Sequence, residues 1–262
     1  MKEITLEESK QIQIKILENI DSFCRNNNIH YSLSGGTMIG AIRHKGFIPW
    51  DDDIDLMMLR EDYDKFLLSY SDEYYKLLSF KKIKNWPFLY CSVVDPQTIL
   101  YYGNRKDENR GVWVSIFPVE NIDENKIPHM VKYLRFFEKG IVRLKKSYWT
   151  PNTNLFYNLS KALCRFLLLP FPCSFWLKQL EKVIINPNCT GLLGLPSVWM
   201  YIRVYHFSKS VFNDYIDVDF ENLKCMVIAG YDEFLHGVYG DYMTLPPEKD
   251  RVSKHGYTAY WK

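Results

Sequence analysis

The chain has 262 residues, 47% of them hydrophobic and 24% charged, a composition that supplies a buried core and excludes intrinsic disorder. Thirty-three basic against 31 acidic side chains leave a net charge of +2 with Lys and Arg scattered, which excludes the electrostatic footprint of a nucleic-acid partner. Six cysteines, at 24, 91, 164, 173, 189 and 225, form no Cys-x-x-Cys pair and no zinc spacing, so they read as small buried hydrophobes in a reducing, cytoplasmic setting.

Thr5-Leu6-Glu7-Glu8 has the capping-box form, and Ile12, Ile16, Ile20 and Phe23 recur at helical spacing, predicting an amphipathic helix that stops near Asn26-Asn27-Asn28. Charges along that helix argue against a secretory signal. Tyr31 and Leu33 then predict a short strand. Gly35-Gly36 breaks it, and Thr37 to Ile42 begins a helix whose free backbone N–H groups face the break, a ready anion site. After a loop holding Gly46 and Pro49, the alternation Asp53-Ile54-Asp55-Leu56 predicts a strand with both carboxylates on one face.

Two carboxylates about 5 Å apart repel by roughly 3 kcal/mol at an effective dielectric near 20, so either one is protonated or a cation lies between them. All-oxygen ligands select a hard divalent ion. A glycine turn cradling phosphate beside such an ion is the minimum apparatus for phosphoryl or nucleotidyl transfer. An Asp-rich run alone is ordinarily a solvated loop; the order of strand, glycine pair, helix and acidic strand is what separates this one.

Residues 60–68 predict a helix with Tyr63, Phe66 and Leu67 inward, and the β-prone runs 77–80, 88–94, 99–102 and 111–117 predict strands that extend the sheet. From residue 121 to about 200 the chain reads as helical and aromatic. Its Lys126, Lys132, Arg135, Lys139, Arg143, Lys145 and Lys146 suit a solvated helix face, with contact to an anionic acceptor or membrane surface as the functional alternative. The most apolar run, 166–177 with Arg165 and Lys178 at its edges, is too short and too proline-broken for the roughly 20 residues a bilayer span needs, leaving buried core or interfacial attachment. Near the end, Tyr239-Gly240 closes a helix and Pro246-Pro247 directs a loop that leaves Arg251, Lys254 and His255 close together as phosphate donors. No internal repeat or linker appears. One domain over 1–262 is expected: a core (1–120), a helical elaboration (121–200) and a carboxyl-terminal part (201–262) that completes the site.

Gly36-Thr37, followed by Gly40-Ala41-Ile42-Arg43-His44-Lys45-Gly46-Phe47-Ile48-Pro49-Trp50-Asp51-Asp52-Asp53-Ile54-Asp55, resembles the signature of the LicD family. LicD proteins are phosphocholine transferases of bacterial surface polysaccharides, related to the fukutin group of animal phosphosugar transferases. The run from Gly111 to Glu120 resembles a second family motif but carries Ser115 where members usually carry Asp. Tyr231 to Leu235, Tyr239 to Glu248, Arg251 and Lys254-His255-Gly256 resemble the carboxyl-terminal pattern, so the likeness covers nearly the whole chain.

The resemblance implies an α+β fold, with a nucleotidyltransferase-like mixed β-sheet core flanked by helices and a helical elaboration in mid-chain. It implies transfer of phosphocholine, or a similar phospho-alcohol, from a CDP-activated donor such as CDP-choline to a sugar hydroxyl of lipopolysaccharide or teichoic acid. Mg²⁺ or Mn²⁺ is the implied cofactor, held by Asp53 and Asp55. Gly35, Gly36 and Thr37 would meet phosphate oxygens, and Arg43 would offset charge on the leaving nucleotide. His44, Lys45, Arg251 and His255 would line the nucleotide and phosphate site. Asp51, Asp95 or Glu120 would supply acid or base chemistry in place of Ser115. Lipid-carried acceptors would bring the protein into peripheral contact with the inner membrane face. Two other readings stay open: a nucleotidyltransferase acting on a sugar or alcohol phosphate, and a catalytically inactive nucleotide- or glycan-binding module.

Overall fold

A computed structural model of the chain describes residues 1–107, 110–137, 155–168, 171–185, 191–197, 206–253 and 255–262. The chain divides into two compact units. The first comprises Met1–Leu78, Tyr90–Val119 and Phe207–Lys262; the second comprises Ser79–Leu89 and Glu120–His206.

The first unit starts with β1 (Glu3–Ile4) and α1 (Leu6–Asn26). The capping box forms: Thr5 Oγ1 accepts the Glu8 N–H at 3.1 Å and Glu8 Oε2 accepts the Thr5 N–H at 2.9 Å. Ile12, Ile16 and Ile20 are buried on one face, and Phe23 packs edge-on against Phe66 and Tyr70. Next come β2 (Ser32–Leu33), α2 (Gly35–His44), β3 (Ile54–Leu59) and α3 (Arg60–Ser69). Tyr63, Phe66 and Leu67 face inward from α3, as their spacing predicts. The glycine pair does not precede α2 but forms its first turn, because Gly35 takes a left-handed φ of 53° that bends the chain straight from strand into helix.

The strands β4 (Lys76–Leu78), β5 (Cys91–Val94), β6 (Thr98–Tyr102), β7 (Arg105–Asp107) and β8 (Trp113–Asn121) follow. In the central mixed sheet β2 pairs antiparallel with β3, β3 parallel with β8, β8 antiparallel with β5, and β5 antiparallel with β4. The register sets Asp55 beside Ser115. One expectation is corrected: residues 99–102 do not extend this sheet. β6 instead joins β7 on one side and, on the other, β13 (Thr258–Trp261), which pairs with β1, so a second sheet ties the two chain ends together.

In the second unit, α4 (Ile127–Phe137), α5 (Leu155–Leu168) and α6 (Cys173–Ile184) precede β9 (Leu192–Gly194), which pairs with the end of β8. Helix α6 buries Leu177, Leu180 and Ile184. Lys126 and Lys132 are exposed, whereas Lys139, Arg143, Lys145, Lys146 and the side chain of Arg135 lie outside the described residues. No helix among the described residues is long and apolar enough to cross a membrane. Cys24, Cys91 and Cys225 are buried thiols.

The first unit resumes with β10 (Phe207–Ser208), the hairpin of β11 (Tyr215–Phe220) and β12 (Leu223–Ile228), and α7 (Tyr231–Tyr239). The hairpin is fastened beside β2: Tyr31 Oη accepts the Met226 N–H at 3.3 Å and Ser32 Oγ accepts the Ile228 N–H at 3.1 Å. The architecture is therefore α+β, with β3 and β8 parallel at the centre of the main sheet.

Candidate active site

Strand β3 begins at Ile54, and the residues just before it carry the acid cluster. Thr37 of α2 fixes the entry, its Oγ1 accepting the Asp55 N–H at 2.9 Å, so the hydroxyl expected at a phosphate is bound to the strand backbone. Gly36 lets Asp51 approach: a Cβ there would lie 2.6 Å from Asp51 Oδ2. The glycine turn and the acid run are thus in contact.

Asp52, the acid that sequence reasoning passed over, is the hub. Its Oδ1 is 2.7 Å from His255 Nδ1, and its Oδ2 accepts the Ser253 hydroxyl at 2.6 Å. Its main-chain carbonyl accepts from Gln13 Nε2 at 3.0 Å and Tyr257 Oη at 2.9 Å. Helix α1 and the carboxyl-terminal segment therefore meet on one residue. The other face of His255 turns to Asp53, with Nε2 3.3 Å from Asp53 Oδ2.

These contacts sort the charges. The Asp52 hydrogen bond, opposed by burial and helped by Asp53, raises the His255 imidazole to about 9, so at neutral pH it is a cation with both ring nitrogens donating. Burial would raise Asp52, but hydrogen bonds from His255 and Ser253 outweigh it and hold the carboxyl below its usual range. Burial, then the nearby Asp55 charge, push Asp53 well above that range. Asp55 is pushed up to about 7, chiefly by burial, with His255 and a hydrogen bond from Ser115 working against the rise. Asp51 is raised by burial and by Asp52. Ser115 is not an idle strand residue, since it also accepts the buried Trp113 Nε1–H at 2.9 Å. The Trp113 ring in turn meets His255 edge-on at 6.2 Å.

Four carboxyls thus converge on one imidazolium. A hard divalent ion would relieve this imbalance: Asp53 and Asp55 offer oxygen donors, and a carboxylate oxygen of Asp52 lies within 4.8 Å of one of Asp53. His255, protonated on both ring nitrogens, balances charge rather than ligating. Mg²⁺ and Mn²⁺ both suit such a set.

Other expected residues lie elsewhere. Arg43 is near the far end of α2, seven residues or about 10 Å of helix from Gly36. Its Nη1 donates to the carbonyls of Tyr242 and Thr244, and its Nε donates to His44 Nε2 at 2.9 Å. That bond needs a neutral His44, in keeping with an imidazole lowered by burial and by the Arg43 charge. Lys45 is exposed in a left-handed cap with φ 61°. Arg251 lies over the Trp50 ring at 5.7 Å and donates to the Pro246 carbonyl at 2.8 Å. Lys254 is outside the described residues. The Asp95 carboxylate accepts from Tyr74 Oη at 2.9 Å and the Gln97 N–H at 2.8 Å, a turn-forming role. Glu120 is buried in the second unit, paired across the strands with Gly194.

A carboxylate-lined strand end facing a glycine turn, on an α+β core, defines a nucleotidyltransferase-type domain. Comparison with known families makes this specific: residues 28–164 match the LicD/FKTN/FKRP nucleotidyltransferase domain, and the chain belongs to that family. It is 32% identical to the lipopolysaccharide cholinephosphotransferase LicD of Haemophilus influenzae over 99% of each chain. An uncharacterized protein of Rickettsia typhi is 25% identical over 51% of this chain and 42% of its own.

Proposed function

We propose that the protein transfers phosphocholine, or a similar phospho-alcohol, from a CDP-activated donor to a sugar hydroxyl of a bacterial surface glycan. The observation that carries this reading is the end-to-end similarity to a lipopolysaccharide cholinephosphotransferase. The acid cluster supports it, because buried carboxylates held above their usual range are poised to take up a divalent ion and a diphosphate together.

In this reading Asp53 and Asp55 hold Mg²⁺ or Mn²⁺, which when bound would draw charge from the diphosphate oxygens. The backbone of Gly35 and Gly36, at the amino end of α2, faces the phosphates. Asp52 keeps His255 charged and oriented, so that its Nε2–H is directed at the Asp53 side of the site. Ser115 steadies Asp55 and leaves proton removal from the acceptor to another group. Arg43 braces the chain at 242–244, with His44 accepting its Nε–H. The reaction would run in the cytoplasm, at the inner membrane face where lipid-carried glycans are built.

Incubation with CDP-choline, Mg²⁺ and lipopolysaccharide tests this. CMP should appear only when acceptor is present, with choline phosphate on the glycan. A nucleotidylated acceptor would make the protein a nucleotidyltransferase, and absence of turnover with every CDP-alcohol and glycan offered would make it a binding module.

A further inference from the structure

Among the described side chains of α5, four large apolar ones are exposed. Phe156, Leu159, Leu163 and Phe166 are 82%, 57%, 60% and 74% exposed. Their spacing puts all four within an arc of about 80° on the helix surface, while buried Asn158 lies roughly 120° around the helix from its centre. This is not the surface that the apolar run 166–177 suggests. Among the described residues of that run, α6 buries Leu177, and Phe171, Phe175 and Trp176 pack together with ring centroids 4.5–5.6 Å apart. Only Phe166 belongs to both.

The sequence around the stripe is uniformly basic. Residues 139–180 contain Lys139, Arg143, Lys145, Lys146, Lys161, Arg165 and Lys178 and no Asp or Glu, whereas the rest of the chain carries 26 basic against 31 acidic side chains. Closing the stripe against a second copy would bring two such segments together and cost repulsion. An anionic surface gains from the same charges.

We propose that α5 is a lipid-binding helix that lies in the plane of an anionic bilayer, with Phe156, Leu159, Leu163 and Phe166 in the headgroup region. At 14 residues it is about 21 Å long, shorter than the roughly 30 Å hydrocarbon core, so it lies on the membrane rather than across it. Four apolar side chains in a basic stretch of sequence give reversible attachment that depends on lipid charge. The proposal is independent of the transferase reading, since no residue of the acid cluster takes part.

Flotation of the full chain with phosphatidylcholine vesicles, with and without phosphatidylglycerol, tests it. Wild type should float only with the anionic vesicles. Leu163→Ser/Phe166→Ser should lower the bound fraction at least about 10-fold, with an unchanged melting temperature because both side chains face solvent. The proposal is overturned if wild type stays at the bottom, if the double variant floats equally well, or if its melting temperature falls. A solution dimer that the double variant splits into monomers would assign the stripe to a second copy and overturn it as well.

Discussion

The stretch from Gly40 to Phe47 and the stretch from Asp51 to Asp55 are neighbours in sequence, yet the protein treats them oppositely. The first is occupied by the protein itself. A Cβ on Gly40 would run into the Gly46 carbonyl, and one on Gly46 into the Glu221 carboxylate. Glu221, at the tip of the β11–β12 hairpin, accepts the Phe47 N–H at 2.9 Å and donates its own N–H to the Lys45 carbonyl at 2.8 Å. Arg43 holds residues 242 and 244, and Lys10 covers the Phe47 ring at 4.8 Å. In the second stretch the acids are crowded beyond what the protein neutralises, with Asp51, Asp53 and Asp55 all displaced upward. A long contiguous motif can therefore mix residues fixed by packing with residues fixed by chemistry. The first kind should fail by stability and the second by activity.

The largest effect should come from the second stretch. Asp53→Asn or Asp55→Asn is expected to cut turnover at least about 100-fold, since metal-centred electrostatic stabilisation is worth several kcal/mol. Neither should lower the melting temperature, because an amide relieves the burial and repulsion that raise both carboxyls. Near-normal turnover in both variants would dissolve the distinction between the stretches.

Gly40→Ala comes next, with the opposite signature. The obstructing atom is a backbone carbonyl that cannot swing aside. Overpacking of that kind costs about 1–3 kcal/mol, a drop of roughly 2–12 °C in melting temperature. Thermal unfolding measures it. An unshifted midpoint would mean the 45–47 loop moves freely and the glycine has some other reason.

Much of this contrast was legible in the sequence, but not evenly. The capping box at Thr5 and Glu8 and the inward face of α3 are local patterns, set by residues within a few positions of one another, whereas β3 begins at Ile54 and leaves Asp53 just outside the strand expected to carry both acids. What escaped depends on distant partners. Asp52 looks like a solvated loop acid until Ser253 and His255, 201 and 203 residues away, come back to it. Likewise β6 carries no mark saying that it pairs with the last strand rather than with the main sheet. Nor does the local sequence around Arg43 announce its carbonyl partners, around 200 residues on.

Glu221 tests the clamp from its other side. Glu221→Ala leaves the buried Phe47 N–H without its acceptor, a loss of about 1–2 kcal/mol. Glu221→Gly loses the same acceptor but relieves the left-handed φ of 54°, so it should be the more stable variant by roughly 0.5–1 kcal/mol. Chemical denaturation of the pair reads the difference. Equal stabilities would show that the hairpin tip relaxes once the carboxylate is gone.

The smallest effect, and the one that decides on which side of the divide a residue falls, is Arg43→Lys. Lysine keeps the positive charge and can still reach one carbonyl, but it lacks the planar fork that serves the chain at 242–244 and the Nε–H that His44 accepts. The loss should be about 1 kcal/mol, or roughly 2–4 °C in melting temperature, with kcat/KM for the CDP-activated donor unchanged within about 2-fold. A brace acts on the folded chain before any substrate arrives, so the shift should be the same with and without donor. If instead the melting temperature holds and kcat/KM falls tenfold or more, the guanidinium leaves those carbonyls when donor binds, and Arg43 belongs with the acids.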